Sequence, residues 1–226
     1  MSADAARLRL KEPDAQLVDT LERHQVDAVI DVGANRGQFA RRIRAAGWQG
    51  PILSIEPIAE LHSLLRAQVE ADHAWELAAP LAAGDREAEG VLEVAAEDDM
   101  SSILAQSRLL QTISPSSRVV RRVAVPQRRL DALDLLGGRP WQRMFVKVDV
   151  QGAEPAVLAG LAGVWPRVRG LQLELALVPL YEGEKPWLEL IADLAARDFT
   201  PHLIFPGYYA RALGRQVQVD VVFFRG

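Results

Sequence analysis

Ala28-Val29-Ile30-Asp31-Val32-Gly33-Ala34-Asn35-Arg36-Gly37 is a short apolar run that closes on an acid and two spaced glycines. A parallel strand buried on both faces reads as such a continuous run, and glycines just beyond it let the backbone turn tightly and approach a ligand. A helix predicted from about Gln38 to Ala46 then offers its free N–H groups to whatever occupies the turn. Open α/β sheets bind ligands at the carboxyl ends of their strands. A ligand site is therefore expected by residue 37.

The flanking chain repeats the same rhythm. Pro13-Asp14, followed by Leu17, Val18 and Leu21, predicts a helix over residues 14–25. Ile52-Leu53-Ser54-Ile55-Glu56 predicts a second strand with Glu56 at its carboxyl end, and Leu61, Leu64 and Leu65 mark one face of the next helix. Residues 75–83 read as one third strand region, and residues 90–94 as a short strand. Residues 96–135 are the least regular, with an imperfect strand at 118–125. Residues 144–150 and 170–177 are the fourth and fifth core strands, with a helix from Pro155 to about Gly163 between them. A helix near 187–196 and two strands, 201–205 and 217–224, close the chain. The connection between those last strands, which holds Tyr208 and Tyr209, is short enough to favour an antiparallel hairpin. Alternating strands and helices make this an α/β chain. We expect one domain over 1–226, with a helical lead at 1–25 and a variable insert at 86–135.

Of the 226 residues, 49% are hydrophobic and 25% charged, as in ordinary globular proteins, and the net charge of −4 offers no basic excess for nucleic acid. The absence of cysteine excludes disulfides and thiol catalysis. Residues 1–15 carry Asp4, Arg7, Arg9, Lys11 and Glu12 in place of the apolar core of a signal peptide. No stretch approaches the roughly 20 apolar residues of a membrane span. A cytoplasmic location is expected.

A dinucleotide fingerprint requires a bare second glycine against the pyrophosphate, and here that position is Asn35. A phosphate-cradling loop would end in Lys-Ser/Thr, which is also missing. A glycine turn without phosphate equipment, followed by an acid ending the second strand, suits S-adenosylmethionine. Glu56 can accept both hydroxyls of the ribose diol, and Asp31 can favour the positive methionine end, directly or through water. A nicotinamide-dependent oxidoreductase and a non-catalytic S-adenosylmethionine-binding protein are the alternatives.

Asp31 to Gly37, Ser54-Ile55-Glu56-Pro57, Ala82-Ala83-Gly84-Asp85, Ser101-Ser102, Leu130-Asp131-Ala132-Leu133 and Val146 to Glu154 together resemble the successive motifs of FkbM-type methyltransferases, over roughly residues 26–224. The block from Lys147 to Glu154 is the most specific. The resemblance implies a class I, Rossmann-like methyltransferase fold with helices on both faces of a seven-stranded, mostly parallel sheet whose last strand is antiparallel. It also implies S-adenosylmethionine as donor and O-methylation of a sugar, glycan or secondary-metabolite hydroxyl. Gly33, Asn35, Gly37 and Glu56 would hold the cofactor, with Ala82 near the adenine.

A hydroxyl acceptor benefits from a general base, and Asp149, at the end of the fourth core strand, is the first candidate; Glu174 is the second. Asp149 is also a possible partner for Lys147, since an unpaired charge in a core strand costs several kcal/mol. Glu154 favours a helix start. Ser101 and Ser102 are candidates for cofactor or substrate contact, or for a helix cap. Tyr181, Tyr208 and Tyr209 can wall a sugar. The five arginines between 118 and 129 read as a solvated face before an anion site. Histidines 24, 62, 73 and 202 do not cluster in sequence, so no metal is expected there, although Asp149, Glu154 and Glu174 could form an oxygen site if they converge.

Overall fold

The computed structural model describes residues 12–226, and the expectations for the first eleven residues lie outside it. Helix α1 (Pro13–Arg23) starts on a proline, carries Asp14 in its first turn and buries Ala15, Leu17, Val18 and Leu21. Strand β1 (Ala28–Val32) is buried at every position and feeds α2 (Gln38–Ala46), which buries Phe39, Ala40 and Ile43. Next come β2 (Ile52–Ile55), α3 (Ala59–Val69) and the short β3 (Trp75–Leu77).

The region expected as one strand over 75–83 is divided. Pro80, which cannot donate to a ladder, separates β3 from β4 (Ala82–Ala83), and β4 belongs to a different sheet. The strands expected at 90–94 and 118–125 belong to that second sheet. β5 (Ala88–Ala95) and β6 (Val119–Arg128) form an antiparallel pair, and β4 joins β6 only at Gln127 and Arg128. Pro126 thus lies where β6 has a partner on one side only. Arg121, Arg122, Arg128 and Arg129 each pair with a carboxylate, as a solvated face requires. Between β5 and β6, α4 (Arg108–Ile113) is capped by the Ser107 hydroxyl.

The main sheet resumes with β7 (Met144–Val148), α5 (Glu154–Ala159), β8 (Val168–Ala176), α6 (Trp187–Ala195) and β9 (Phe199–Pro206). The helix expected to reach Gly163 stops at Ala159, and a separate 3-10 segment follows over Ala162–Arg167. A small hairpin, β10 (Tyr209–Ala210) and β11 (Arg215–Gln216), precedes β12 (Gln218–Arg225). Seven strands lie in the order β3-β2-β1-β7-β8-β12-β9, with β12 antiparallel to both neighbours and the remaining pairs parallel. Both faces are covered. On one, Leu17, Leu21, Phe39, Ile43 and Leu65 pack on Val29, Ile52 and Phe145. On the other, Val157, Leu158, Leu190 and Leu194 pack on Ile30, Val146 and Leu171. Covering both faces explains why the central strands are mostly apolar, with Asp31, Ser54 and Lys147 as buried exceptions.

The carboxyl ends of β1, β2 and β7 therefore share one edge of the molecule. Loops after β5 and β8 and around the β10–β11 hairpin add a small core there of Leu110, Leu180, Tyr181, Ala210 and Val217.

Candidate active site

The turn after β1 is shaped by three left-handed residues, Gly33 (φ 75°), Asn35 (φ 49°) and Gly37 (φ 76°). Gly33 is required for space as well as for φ, because a Cβ there would collide with the Asp149 carbonyl. The ends of β1 and β7 consequently meet backbone to backbone. The Asn35 N–H donates to Glu56 Oε2 and the Ile58 N–H to Glu56 Oε1, both at 2.8 Å. Glu56 is only 4% exposed, and burial pushes its carboxyl up to about 7 even though both backbone bonds pull it down.

These groups border a cleft at the carboxyl ends of the central strands, where open α/β sheets bind their ligands. Ile55, Pro57, Ile58, Ala82, Leu92 and Ile103 line it as an apolar wall beside Glu56, and Gly33, Asn35, Asp99, Ser101, Asp149 and Gln151 line it with polar groups. Among the described residues, no lysine or arginine lines this cleft. It can stack a planar base and accept hydroxyl protons, while Asn35 carries a side chain where a pyrophosphate would need a bare glycine. The donor set therefore fits S-adenosylmethionine and does not fit a dinucleotide.

Several expected site residues lie behind the cleft. Gly37 packs under it, where a Cβ would fall 2.8 Å from Leu65 and 2.9 Å from Trp75. Asp31 is fully buried, 3.2 Å from Lys147 Nζ, and is not part of the lining. Burial raises its carboxyl while Lys147 opposes the shift. Lys147 Nζ also donates to the Gly33 carbonyl at 3.0 Å and lies 3.4 Å from Asp149. Burial would lower the lysine, yet the two carboxylates outweigh it and hold the ammonium charged. Lys147 thus has the expected partner and a second one, and it braces the turn after β1.

Of the two base candidates, Asp149 lines the cleft with its side chain 36% exposed. Glu174 is not in the lining: Gln151 Nε2 and Gln218 Nε2 donate to its Oε2 at 2.6 and 2.7 Å, and burial followed by Asp149, Asp220 and Glu154 drives its carboxyl well above the ordinary range. Ser102 is turned away, donating to the Gln151 carbonyl at 2.7 Å, and it is Ser101 that borders the cleft. Ser102 ends up inward because its backbone pairs with Glu93. Glu154 accepts from the Val150 and Gly152 N–H groups at 3.2 and 3.3 Å, bracing the turn before its own helix. Its burial, with Glu184 and Asp149 nearby, pushes its carboxyl up to about 8.

Tyr181 corrects its expectation as a sugar wall, since it is 1% exposed in the core of the loop cluster. The Tyr208 hydroxyl donates to the Ile113 carbonyl, while Tyr209 is exposed. His24 and His202, distant in sequence, meet edge to face beside Phe224. Among the described residues, no group of three metal-binding side chains converges. Sequence reasoning missed Gln151, Asp99 and the apolar Leu92 and Ile103. Only Gln151 had a signal, its place before the glycine of a sharp turn.

No curated protein matches the chain. Among solved structures, the methyltransferase domain of bacterial CtHen1-C is similar at 9% identity, TM-score 0.51, over 96% of this chain and 99% of that one. Magnesium protoporphyrin IX methyltransferase from Synechocystis PCC 6803, determined with bound SAM, is similar at 12% identity and TM-score 0.50, over 98% of this chain and 82% of that one. A putative O-methyltransferase from Klebsiella pneumoniae has 11% identity and TM-score 0.50, over 100% and 82%. At such identities the likeness shows the fold, that of class I methyltransferases. The model for the methyltransferase FkbM domain matches residues 31–201, well over half of the sequence, and the chain belongs to that family.

Proposed function

We propose that this protein transfers the methyl group of S-adenosylmethionine to a hydroxyl of a sugar, glycan or secondary metabolite, with Asp149 as the general base. The observation that carries the reading is the buried Glu56 carboxylate, hung on the Asn35 and Ile58 N–H groups between an apolar wall and Asp149. The three similar proteins above are named as methyltransferases, and the one determined with SAM supports the same donor.

The donor supplies an electrophilic methyl on a sulfonium that becomes neutral as the C–S bond breaks. Glu56 accepts the ribose hydroxyls, the wall of Ile58, Ala82 and Leu92 takes the base, and the turn from Gly33 to Asn35 holds the amino-acid end. The protein's main task is to align the reacting atoms in line. As the acceptor oxygen bonds to the methyl carbon, Asp149 takes its proton. Glu174, behind Gln151, supports Asp149 and does not touch the acceptor. With no basic residue in the lining and a net charge of −4, a neutral hydroxyl compound suits the cleft better than nucleic acid.

Incubation with methyl-labelled S-adenosylmethionine and a panel of glycans and metabolite extracts tests the assignment. Label on a hydroxyl oxygen is expected. Label on nitrogen, or on nucleic acid alone, would replace the proposed acceptor.

A further inference from the structure

Gln151 ties several distant segments together through one carboxamide. Its Nε2 donates to Asp149 Oδ1 at 2.9 Å and to Glu174 Oε2 at 2.6 Å, while its Oε1 accepts from the Tyr181 hydroxyl at 3.1 Å. Chemistry dictates this orientation, because two carboxylates need donors and only the NH2 end of the amide has two. The main chain is held as well. Gln151 has a φ of 55°, Gly152 follows at 92°, and the Gln151 carbonyl accepts from the Ser102 hydroxyl at 2.7 Å. The Tyr181 hydroxyl also reaches the Met100 carbonyl at 3.1 Å.

Asp149 stands among acids. Glu174 on β8, Glu154 on α5, Asp220 on β12 and Asp31 on β1 all feel its charge, as does Tyr181 in the loop after β8, with Glu184 beside it. Lys147 opposes them from β7. Two carboxylates in one site repel, and one of them normally stays protonated and hydrogen-bonds to the other. An NH2 group between them supplies a hydrogen to each and removes the need for that shared proton.

We infer that Gln151 is a positioning residue: its carboxamide separates Asp149 from Glu174, leaves Asp149 free to accept a proton, and aims it into the cleft. The inference rests on the proposed role of Asp149 as base. It gives Ser102 and Tyr181 a purpose as well, since they fix the two ends of Gln151.

The test reads Asp149 directly and needs no acceptor. In protein labelled with 13C at aspartate side-chain carboxyls, the Asp149 resonance is assigned with Asp149→Asn and titrated in wild type, Gln151→Leu and Gln151→Glu. Circular dichroism and cooperative thermal unfolding establish that each variant is folded. Loss of the Gln151 Nε2 donor is expected to raise the Asp149 midpoint in Gln151→Leu, and to raise it further in Gln151→Glu, which adds a third carboxyl. An unchanged midpoint in folded Gln151→Leu overturns the inference. If that variant does not fold, an unchanged midpoint in Gln151→Glu overturns it equally. Methyl transfer surviving in Asp149→Asn is a separate failure: it removes the base itself, whatever the titration gives.

Discussion

Glu56 and Asn35 meet across 21 positions, inside one strand-helix-strand unit, to form the proposed donor end of the cleft. At the Asp149 end, Gln151 meets Tyr181 across 30 positions and Ser102 across 49, so that end exists only once distant loops have docked. The donor end uses backbone geometry and N–H groups held by the central strands. The Asp149 end uses side chains bonded to one another over a floor of acids. A local, backbone-built site tolerates side-chain change but not a change of turn residue, whereas a side-chain network reacts to single atoms.

The largest effect is expected where the two ends touch. Gly33→Ala forces a Cβ onto the Asp149 carbonyl at a φ of 75°, and should destabilise the fold by about 3 kcal/mol in urea unfolding. Full stability would break the claim that the strand ends meet there. Next, Asp149→Asn should lower methyl transfer by about 100-fold while leaving S-adenosylhomocysteine affinity unchanged. Equal losses of both would merge the two ends into one.

Glu56→Gln should weaken donor binding by about 2 kcal/mol, roughly 30-fold in a calorimetric Kd. A pH series sharpens this. Free Glu56 is pushed up to about 7 from an ordinary 4.5, so its stabilisation of the free fold is present below 4.5 and lost as pH rises through about 7. Ribose hydroxyls favour the ionised carboxylate, so donor affinity should fall as pH drops through about 7, and the slope should vanish in Glu56→Gln. The smallest effect is expected from Tyr181→Phe. Losing the hydroxyl bonds to Gln151 and Met100 should cost about 1 kcal/mol in thermal unfolding and leave donor binding intact.

Most of the sheet was legible because its strands are buried on both faces. Residues 28–32, 52–55 and 144–148 are apolar apart from Asp31, Ser54 and Lys147, and residues 168–176 carry leucines at every second position from 171 to 175. The side sheet was harder to read. β6 is half exposed and laced with arginine, so its alternation is blurred, and the break at Pro80 moved Ala82 and Ala83 to a sheet whose other strands lie further along the chain.

The sequence alone determined the glycine turn after β1, the acid ending β2 and the succession of the central strands β1, β2, β7 and β8 along the chain, because each depends on residues close in the chain and on local backbone preference. Only the tertiary structure decided that Ser101 and not Ser102 borders the cleft, that Glu174 stands behind Gln151, and that Tyr181 is core. Those assignments depend on which side of a loop faces inward, and that is settled by packing between segments far apart in the chain.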